Sequence, residues 1–539
     1  MEKSSNKFLK GAAILGIAGI IVKVMGVFFR IPVTLWIGAD GMSYYNSVYP
    51  IYTFFLILST AGIPVAISRM VSERIAKNNY QGAHKVFNIS VYLLAAIGLA
   101  SFLLVYIGAG FIEKSILHNE GTIYSIQAIA PSLLLVPIMA AYRGYFQGRQ
   151  IMGPTAISQL FEQLFRVGIG LILCRVLMST GNQFAASGAI FGCTAGAAIG
   201  LIVIILIYFL HRKNIKKQIE KNKEYYVKES TKDIIKKILI IAIPITIGAC
   251  ILPLVNAIDS MMVMPRLQAT GWTVEESRHL WGLLGGYVSS LVGMPQVFVQ
   301  AIVMSLVPAI AASYALRDQI QVQENTKFAL RAAMLIGTPC AAGMFALSWP
   351  VMKLLYFAPS RAGEVDEAAP LLALMSISII FLSIMQTLTG ALQGIDKQMI
   401  PVKNLLIGAV CKVIVTFVLV GIPFINVKGA PIGTIVCYIV ASVLNIKDVQ
   451  KYSGVKFDPV LTYLRPFAAS VGMGIIAYAF YKLLFLITGV NSFSCIIAVG
   501  IGVLSYAVLI FMLKAITIDE LRKLPKVDKL AKIASKFVK

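Results

Sequence analysis

Charge is scarce in this chain. Only 13% of its 539 residues are Asp, Glu, Lys or Arg, about half the share of a soluble globular protein. A large solvated surface is therefore excluded. Acidic charge is scarcer still, with 24 Asp and Glu against 48 Lys and Arg, and no pair of carboxylates is spaced for catalysis. The four histidines, His84, His118, His211 and His279, are scattered near segment ends, so no metal site is expected. The seven cysteines, Cys174, Cys193, Cys250, Cys340, Cys411, Cys437 and Cys495, all lie in apolar segments without a C-x-x-C pair. They read as small buried residues, not as disulfides or ligands. Walker A and Ser-His-Asp patterns are missing, so direct drive by ATP and hydrolytic catalysis have no support. No cofactor is expected, and a coupling ion or the membrane potential stays open. The expectation is a protein that is not an enzyme.

What is present is apolar length. Hydrophobic residues make up 58% of the chain, and the mean hydropathy is +0.81. Runs long enough to cross a bilayer recur from end to end. About fourteen spans are expected, near 11–37, 44–68, 86–112, 122–146, 154–178, 184–210, 238–264, 281–312, 328–357, 369–394, 401–424, 428–447, 463–487 and 492–514. The start, MEKSSNKFLKGAAILGIAGIIVKVMG, is read as the first span and not as a cleaved signal, because the run continues past residue 30 with no clear A-x-A site.

The connections alternate in charge. One set carries Lys3, Lys7 and Lys10, then Arg69, Arg74, Lys77 and Lys85, Arg143 and Arg149, the segment His211–Lys237, Lys397, Lys447, Lys451, Lys456 and the last 25 residues. The other set carries only Lys114, Arg266, Arg278, Arg361 and Lys428. The positive-inside rule places the first set, and with it both termini, in the cytoplasm. The formal net charge of +24 is then topology and contact with anionic lipid, not nucleic-acid binding.

An internal repeat organises the spans. AYRGYFQGRQIMGP (141–154) matches TLTGALQGIDKQMIP (387–401): Gly144, Gln147, Gly148 and Pro154 meet Gly390, Gln393, Gly394 and Pro401. A weaker match pairs Pro64-Val-Ala-Ile-Ser with Pro308-Ala-Ile-Ala-Ala. Two copies of a six-span unit in one orientation form a parallel repeat, the plan of two-lobed transporters. The expected division is an N-lobe 1–210, a basic cytoplasmic linker 211–237, a C-lobe 238–447, an added helix pair 448–514 and a basic cytoplasmic tail 515–539. The fold class is thus an all-α polytopic membrane protein.

One span is odd. QLFEQLFRVGIG (159–170) carries Gln159, Glu162, Gln163 and Arg166 at i, i+3, i+4, i+7, one face of a helix. The repeat puts Leu406, Ala409 and Val413 at the positions of Gln159, Glu162 and Arg166, so the scaffold does not need the stripe. Intramembrane charges are costly and usually face a cavity or a partner. Glu162 and Arg166 stand in the favourable i, i+4 order. They form either a self-neutralised packing pair or part of a cavity wall. Lys23 and Arg30 in the first span, Asn256 and Asp259 in the seventh and Lys412 in the eleventh are further candidates. Snorkelling competes for Lys23 and Arg30, and an interfacial pair with Arg266 competes for Asp259. Arg143 fits a helix C-terminus at the cytoplasmic face as well as any gate. Basic residues outnumber acids on this path, which favours an anionic substrate such as a phosphate or pyrophosphate.

Residues 136–170, together with 26–68, PLVNAIDS (253–260) and ALQGIDKQ (391–398), resemble the signature regions of the MurJ/SpoVB/YtgP flippases, within the multidrug/oligosaccharidyl-lipid/polysaccharide exporter superfamily. The resemblance implies fourteen spans in two six-helix lobes, an alternating-access cavity, and an added helix pair whose groove takes a polyprenyl tail. It implies lipid II, or another undecaprenyl-linked glycan, as substrate in a bacterial plasma membrane, with the cell-wall synthesis machinery as a possible partner and a monomer as the working unit. The first-span basic residues of the family match Lys23 and Arg30. Its second-span arginine has no counterpart in YPIYTFFLILSTAG, and Arg166 with Glu162 is expected to supply that charge. The substrate-binding candidates are therefore Lys23, Arg30, Gln159, Glu162, Gln163, Arg166, Asn256 and Asp259. The hinge and cytoplasmic-gate candidates are Arg143, Gly144, Gln147, Gly148, Gly390, Gln393 and Gly394. A cation-coupled drug exporter and a non-transporting scaffold are the rival readings.

Overall fold

The computed structural model describes residues 2–516, with side chains from residue 15 onward except at 17, 20 and 27. The side chains of Lys3, Lys7 and Lys10 and the tail beyond 516 lie outside the described residues. All regular elements among the described residues are helices.

Among the described residues, twelve segments are long and apolar enough to cross a membrane. The first, Ile21–Ala76, has 56 residues and would rise about 84 Å as one helix, against a hydrocarbon core of about 30 Å. It holds two of the expected spans. The helix Gly153–Leu177, which carries Glu162, Arg166 and Arg175, is not among the twelve, yet its 25 residues are helical throughout. With these two additions the expected fourteen are accounted for. Large apolar side chains such as Leu210, Phe424 and Leu486 are 79%, 91% and 83% exposed, a surface that water would not tolerate and lipid does. The chain is a multi-pass membrane protein.

Packing divides it into two compact units, 1–282 and 283–539. The first holds α1 (Glu2–Thr60), α2 (Gly62–Ala76), α3 (Tyr80–Ile107), α4 (Thr122–Ile129), α5 (Ser132–Gly148), α6 (Gly153–Leu177), α7 (Asn182–Lys221), α8 (Thr231–Gln268) and α9 (Val274–Gly282). The linker was expected at 211–237. Instead α7 runs on to Lys221, and α8, the seventh span, packs along α1 and α2 within the first unit.

Two local features shape this unit. Gly38 has φ 65° and ψ −168°, a conformation that only glycine adopts freely, and it breaks α1 into the first two spans. Gly192, Gly196 and Gly200 form an i, i+4 ladder on α7. A Cβ at Gly196 would lie 2.4 Å from the Glu162 carbonyl, and one at Gly192 2.4 Å from that of Arg166. The ladder lets α6 and α7 lie backbone to backbone, the small-residue packing of membrane helices.

The second unit holds α10 (Ser289–Ala315), α11 (Gln319–Ala346), α12 (Ser348–Tyr356), α13 (Ala362–Ser376), α14 (Ser378–Gly394), α15 (Met399–Val420), α16 (Gly429–Ser453), α17 (Arg465–Thr488) and α18 (Asn491–Met512). α17 packs on α18 and α11. Between α11, α13, α14 and α17 runs a groove of about 680 Å³, walled by Phe345, Ile377, Ile380, Phe467, Ile475 and Tyr478 among others.

The repeated glycines do the same work in both units. In α5, a Cβ at Gly144 would meet the Pro64 carbonyl at 2.8 Å, and one at Gly148 the Ser68 carbonyl at 2.7 Å. In α14, Gly390 faces Val303 at 2.7 Å and Gly394 faces Ile310 at 2.6 Å by the same measure. Each pair admits a crossing helix. Each helix is followed by a residue at positive φ, Gln150 (58°) or Asp396 (61°).

Candidate functional site

The polar stripe of α6 faces inward. Gln163 is buried, and Gln159, Glu162 and Arg166 are half-buried. The opposite face, with Phe161, Leu164 and Ile172, is 43%, 54% and 63% exposed. This inside-out amphipathicity is what lipid selects.

Of the two readings of Glu162 and Arg166, the local i, i+4 pair does not form. Glu162 instead accepts from Arg143 on α5, Nη2 to Oε2 at 2.8 Å, and Arg143 Nε donates to Ser158 Oγ at 2.8 Å. A lone arginine read as a helix-end charge is thus the counter-ion of the stripe's acid. Its repeat partner, Thr389, belongs to a network without arginine, in which Asn445 donates to Thr389 Oγ1 at 3.2 Å and Asn404 donates to Asp448 Oδ2 at 2.7 Å.

With Glu162 so engaged, Arg166 turns to α1. Its Nη2 donates to the Tyr49 hydroxyl at 2.9 Å, and its guanidinium carbon lies 5.3 Å from the centre of the same ring. Arg30 lies 5.8 Å from that ring and 5.4 Å from the Tyr45 ring. Tyr45 and Tyr49 stack at 5.4 Å with 22° between their planes. Two guanidiniums thus share one tyrosine, each within cation–π range. In a straight helix Arg30 and Tyr49 would stand about 28 Å apart; the break at Gly38 brings them together. Gln163 joins them, its Nε2 lying 3.7 Å from where a Cβ on Gly26 of the first span would be.

The other candidates are spread out. Lys23 is exposed two turns before Arg30, Asn256 is exposed on α8, and Asp259 is half-buried there. Ser260, one residue on, donates to the Asn46 carbonyl at 3.2 Å, so this face of α8 runs along the second half of α1. Lys412, expected near a cavity, is only 1% exposed and is buried in the second unit. Gly144, Gly148, Gly390 and Gly394 are packing positions inside helices, with Gln147 half-buried and Gln393 exposed beside them. Tyr45 and Tyr49 were missed; with Tyr52 they form an i, i+4, i+7 stripe legible in SYYNSVYPIY. Among the described residues no three His, Cys, Asp or Glu side chains converge on a metal-sized site.

Chemically, the face formed by Arg30, Arg166, Tyr49 and Gln163 offers donors and positive charge. Arg143 and Glu162 pair with each other one turn away. Planar guanidiniums of this kind bind phosphate oxygens through two parallel hydrogen bonds.

Comparison with known proteins gives the following likenesses. The chain is 28% identical over 529 residues to membrane protein YabM of Bacillus subtilis, covering 97% of this chain and 96% of that one, and 28% identical over 464 residues to lipid II flippase MurJ of the same organism, covering 84% of each chain. It is 26% identical to stage V sporulation protein B of the same organism, covering 97% of this chain and 98% of that one. The fold matches a structure of lipid II flippase MurJ in an inward closed conformation with TM-score 0.62 at 15% identity, over 92% of this chain and 98% of that one. The MatE family model matches residues 285–418. The model described as polysaccharide biosynthesis protein matches residues 8–314, more than half of the chain, and the protein is a member of that family.

Proposed function

We propose that this protein is a flippase that carries an undecaprenyl-pyrophosphate-linked cell-wall precursor, lipid II, from the cytoplasmic to the outer leaflet of a bacterial plasma membrane. The observation that carries the reading is that Arg30 of α1 and Arg166, on the inward face of α6, share the Tyr49 ring. A pyrophosphate is the natural partner of two arginines held this way. The apolar groove of the second unit suits a polyprenyl tail. One substrate with a dianionic head and a long hydrocarbon tail satisfies both chemistries, and the named relatives agree with it.

In the proposed cycle the head enters the cationic face while the tail stays in hydrocarbon, and the units rock to alternate access. The glycine-packed helix pairs move as rigid bodies, and the turns after them, at Gln150 and Asp396, take up the rotation. Lys23, Gln159, Asn256 and Asp259 are proposed to contact the glycan along the path. A cation-coupled exporter would need a free carboxylate in this face, and Glu162 is held by Arg143.

The test is complementation of a strain depleted of its lipid II flippase, with wild type, Arg30→Ala and Arg166→Ala at equal membrane levels. Wild type should restore growth, and either variant should lose it. Failure of the wild type would redirect the reading to another undecaprenyl-linked glycan. Rescue by all three would make the arginines packing residues.

A further inference from the structure

A second cationic cavity lies in the first unit, away from the stripe. It measures about 650 Å³ and lies between the C-terminal half of α2 and the chain that joins α7 to α8. Arg69, Arg74, Lys77 and Lys237 line it, with Glu73, Glu224 and Glu229. Glu73 is engaged by Arg69 at 2.9 Å.

Arg74 is the centre of the site. It is only 8% exposed. Its Nη1 donates to the Met70 carbonyl at 3.0 Å, its Nη2 donates to Glu229, and its Nε has no hydrogen-bond partner among the described residues. A buried guanidinium with an unused donor is costly unless an acceptor arrives. The one anion on it, Glu229, comes from the linker. Lys237 also reaches that carboxylate at 3.8 Å, and Lys85 Nζ donates to the Glu229 carbonyl at 2.6 Å. Glu229 thus stands where an external anion would bind.

The rest of the cavity wall is apolar. Met70, Val227, Ile240 and Ile241 line it. Below it on α8, Ile240, Ile243 and Ile247 are 62%, 51% and 51% exposed, an apolar rail about 10 Å long that descends from the cationic end. A free phosphate has no use for such a rail; a lipid does.

We propose that this cavity binds an anionic phospholipid of the cytoplasmic leaflet. The headgroup phosphate takes Arg74, Lys77 and Lys237, and an acyl chain lies along Ile240, Ile243 and Ile247. Entry of the phosphate displaces Glu229 from Arg74, so lipid binding releases the linker from α2. Basic residues at this depth already attract anionic lipid by charge; the buried arginine and the rail make it a site.

The test uses the full chain in a neutral detergent, titrated with fluorescent phosphatidylglycerol and with the matching phosphatidylcholine. Phosphatidylglycerol should bind more tightly. Lys77→Gln/Lys237→Gln should weaken it about fivefold, the worth of two exposed charge contacts. Glu229→Gln, which removes the competing charge, should tighten it about threefold. Excess inorganic phosphate should not displace the lipid. Equal binding of the two lipids, or unchanged affinity in the double variant, overturns the site. Full displacement by inorganic phosphate overturns the lipid as its occupant, and weaker binding by Glu229→Gln overturns the competition.

Discussion

At the scale of the residue, the pairing of Glu162 decides what Arg166 is free to do. Because Arg143 takes the acid at 2.8 Å, Arg166 keeps its charge for Tyr49 and for a ligand. A double-mutant cycle on thermal stability should therefore find coupling of about 2 kcal/mol between Arg143 and Glu162, since either residue alone would leave a partly buried charge. The same cycle on Glu162 and Arg166 should give a markedly smaller value; the reverse ranking would restore the local pair. Tyr49→Phe keeps the ring and removes the hydroxyl that accepts from Arg166. It should fold normally and reduce transport about tenfold or more, less than Arg166→Ala, as expected for loss of one charge-assisted hydrogen bond of about 1.5–3 kcal/mol with the cation–π contact kept. Transport in vesicles at matched protein levels measures both.

At the scale of the element, glycine decides how close two helices lie. Gly196→Val would push a side chain into the Glu162 backbone, where even a Cβ has only 2.4 Å. It should abolish folded protein in detergent, because that neighbour is backbone and cannot yield. Gly168→Ala has nothing within 4 Å of its Cβ; it should leave the melting temperature unchanged or raise it slightly. Gly38→Ala meets a different obstacle, the positive φ of the break in α1. It should cost about 1–2 kcal/mol and also weaken transport, since the break is what sets Tyr49 beside Arg30. Size-exclusion profiles and melting curves separate these three cases.

At the scale of the whole molecule, the alternation of charge sets the orientation. A single cysteine at Lys228, in a background freed of the seven native ones, should react only with a membrane-permeant thiol reagent in intact cells. One at Phe424, which is 91% exposed, should react with an impermeant reagent. The opposite pattern would invert the topology and with it the direction of transport proposed above.

How far all this was legible depends on the range of the forces involved. Apolar length, the alternation of basic loops and the 3.6-residue period are local properties, and from them follow the membrane class, a span count near fourteen and the inward face of α6. The tyrosine stripe of α1 was equally local and open to the same reading. Partner choice is not local. Arg143 and Glu162 are 19 residues apart and Arg166 and Tyr49 are 117 apart, on helices whose crossings depend on glycines at their contacts and on one positive φ at Gly38. The i, i+4 neighbour of Glu162 lost to an arginine on another helix because α5 crosses α6 at hydrogen-bonding distance. The linker boundary moved for a similar reason, as α8 packs on α1 and α2 and stays with the first unit. The sequence by itself determined which residues face inward and how often the chain crosses the membrane; the tertiary structure decided which of those residues meet, because helix–helix contact distance, and not spacing along the chain, selects the partner of a charge in a medium that offers no water.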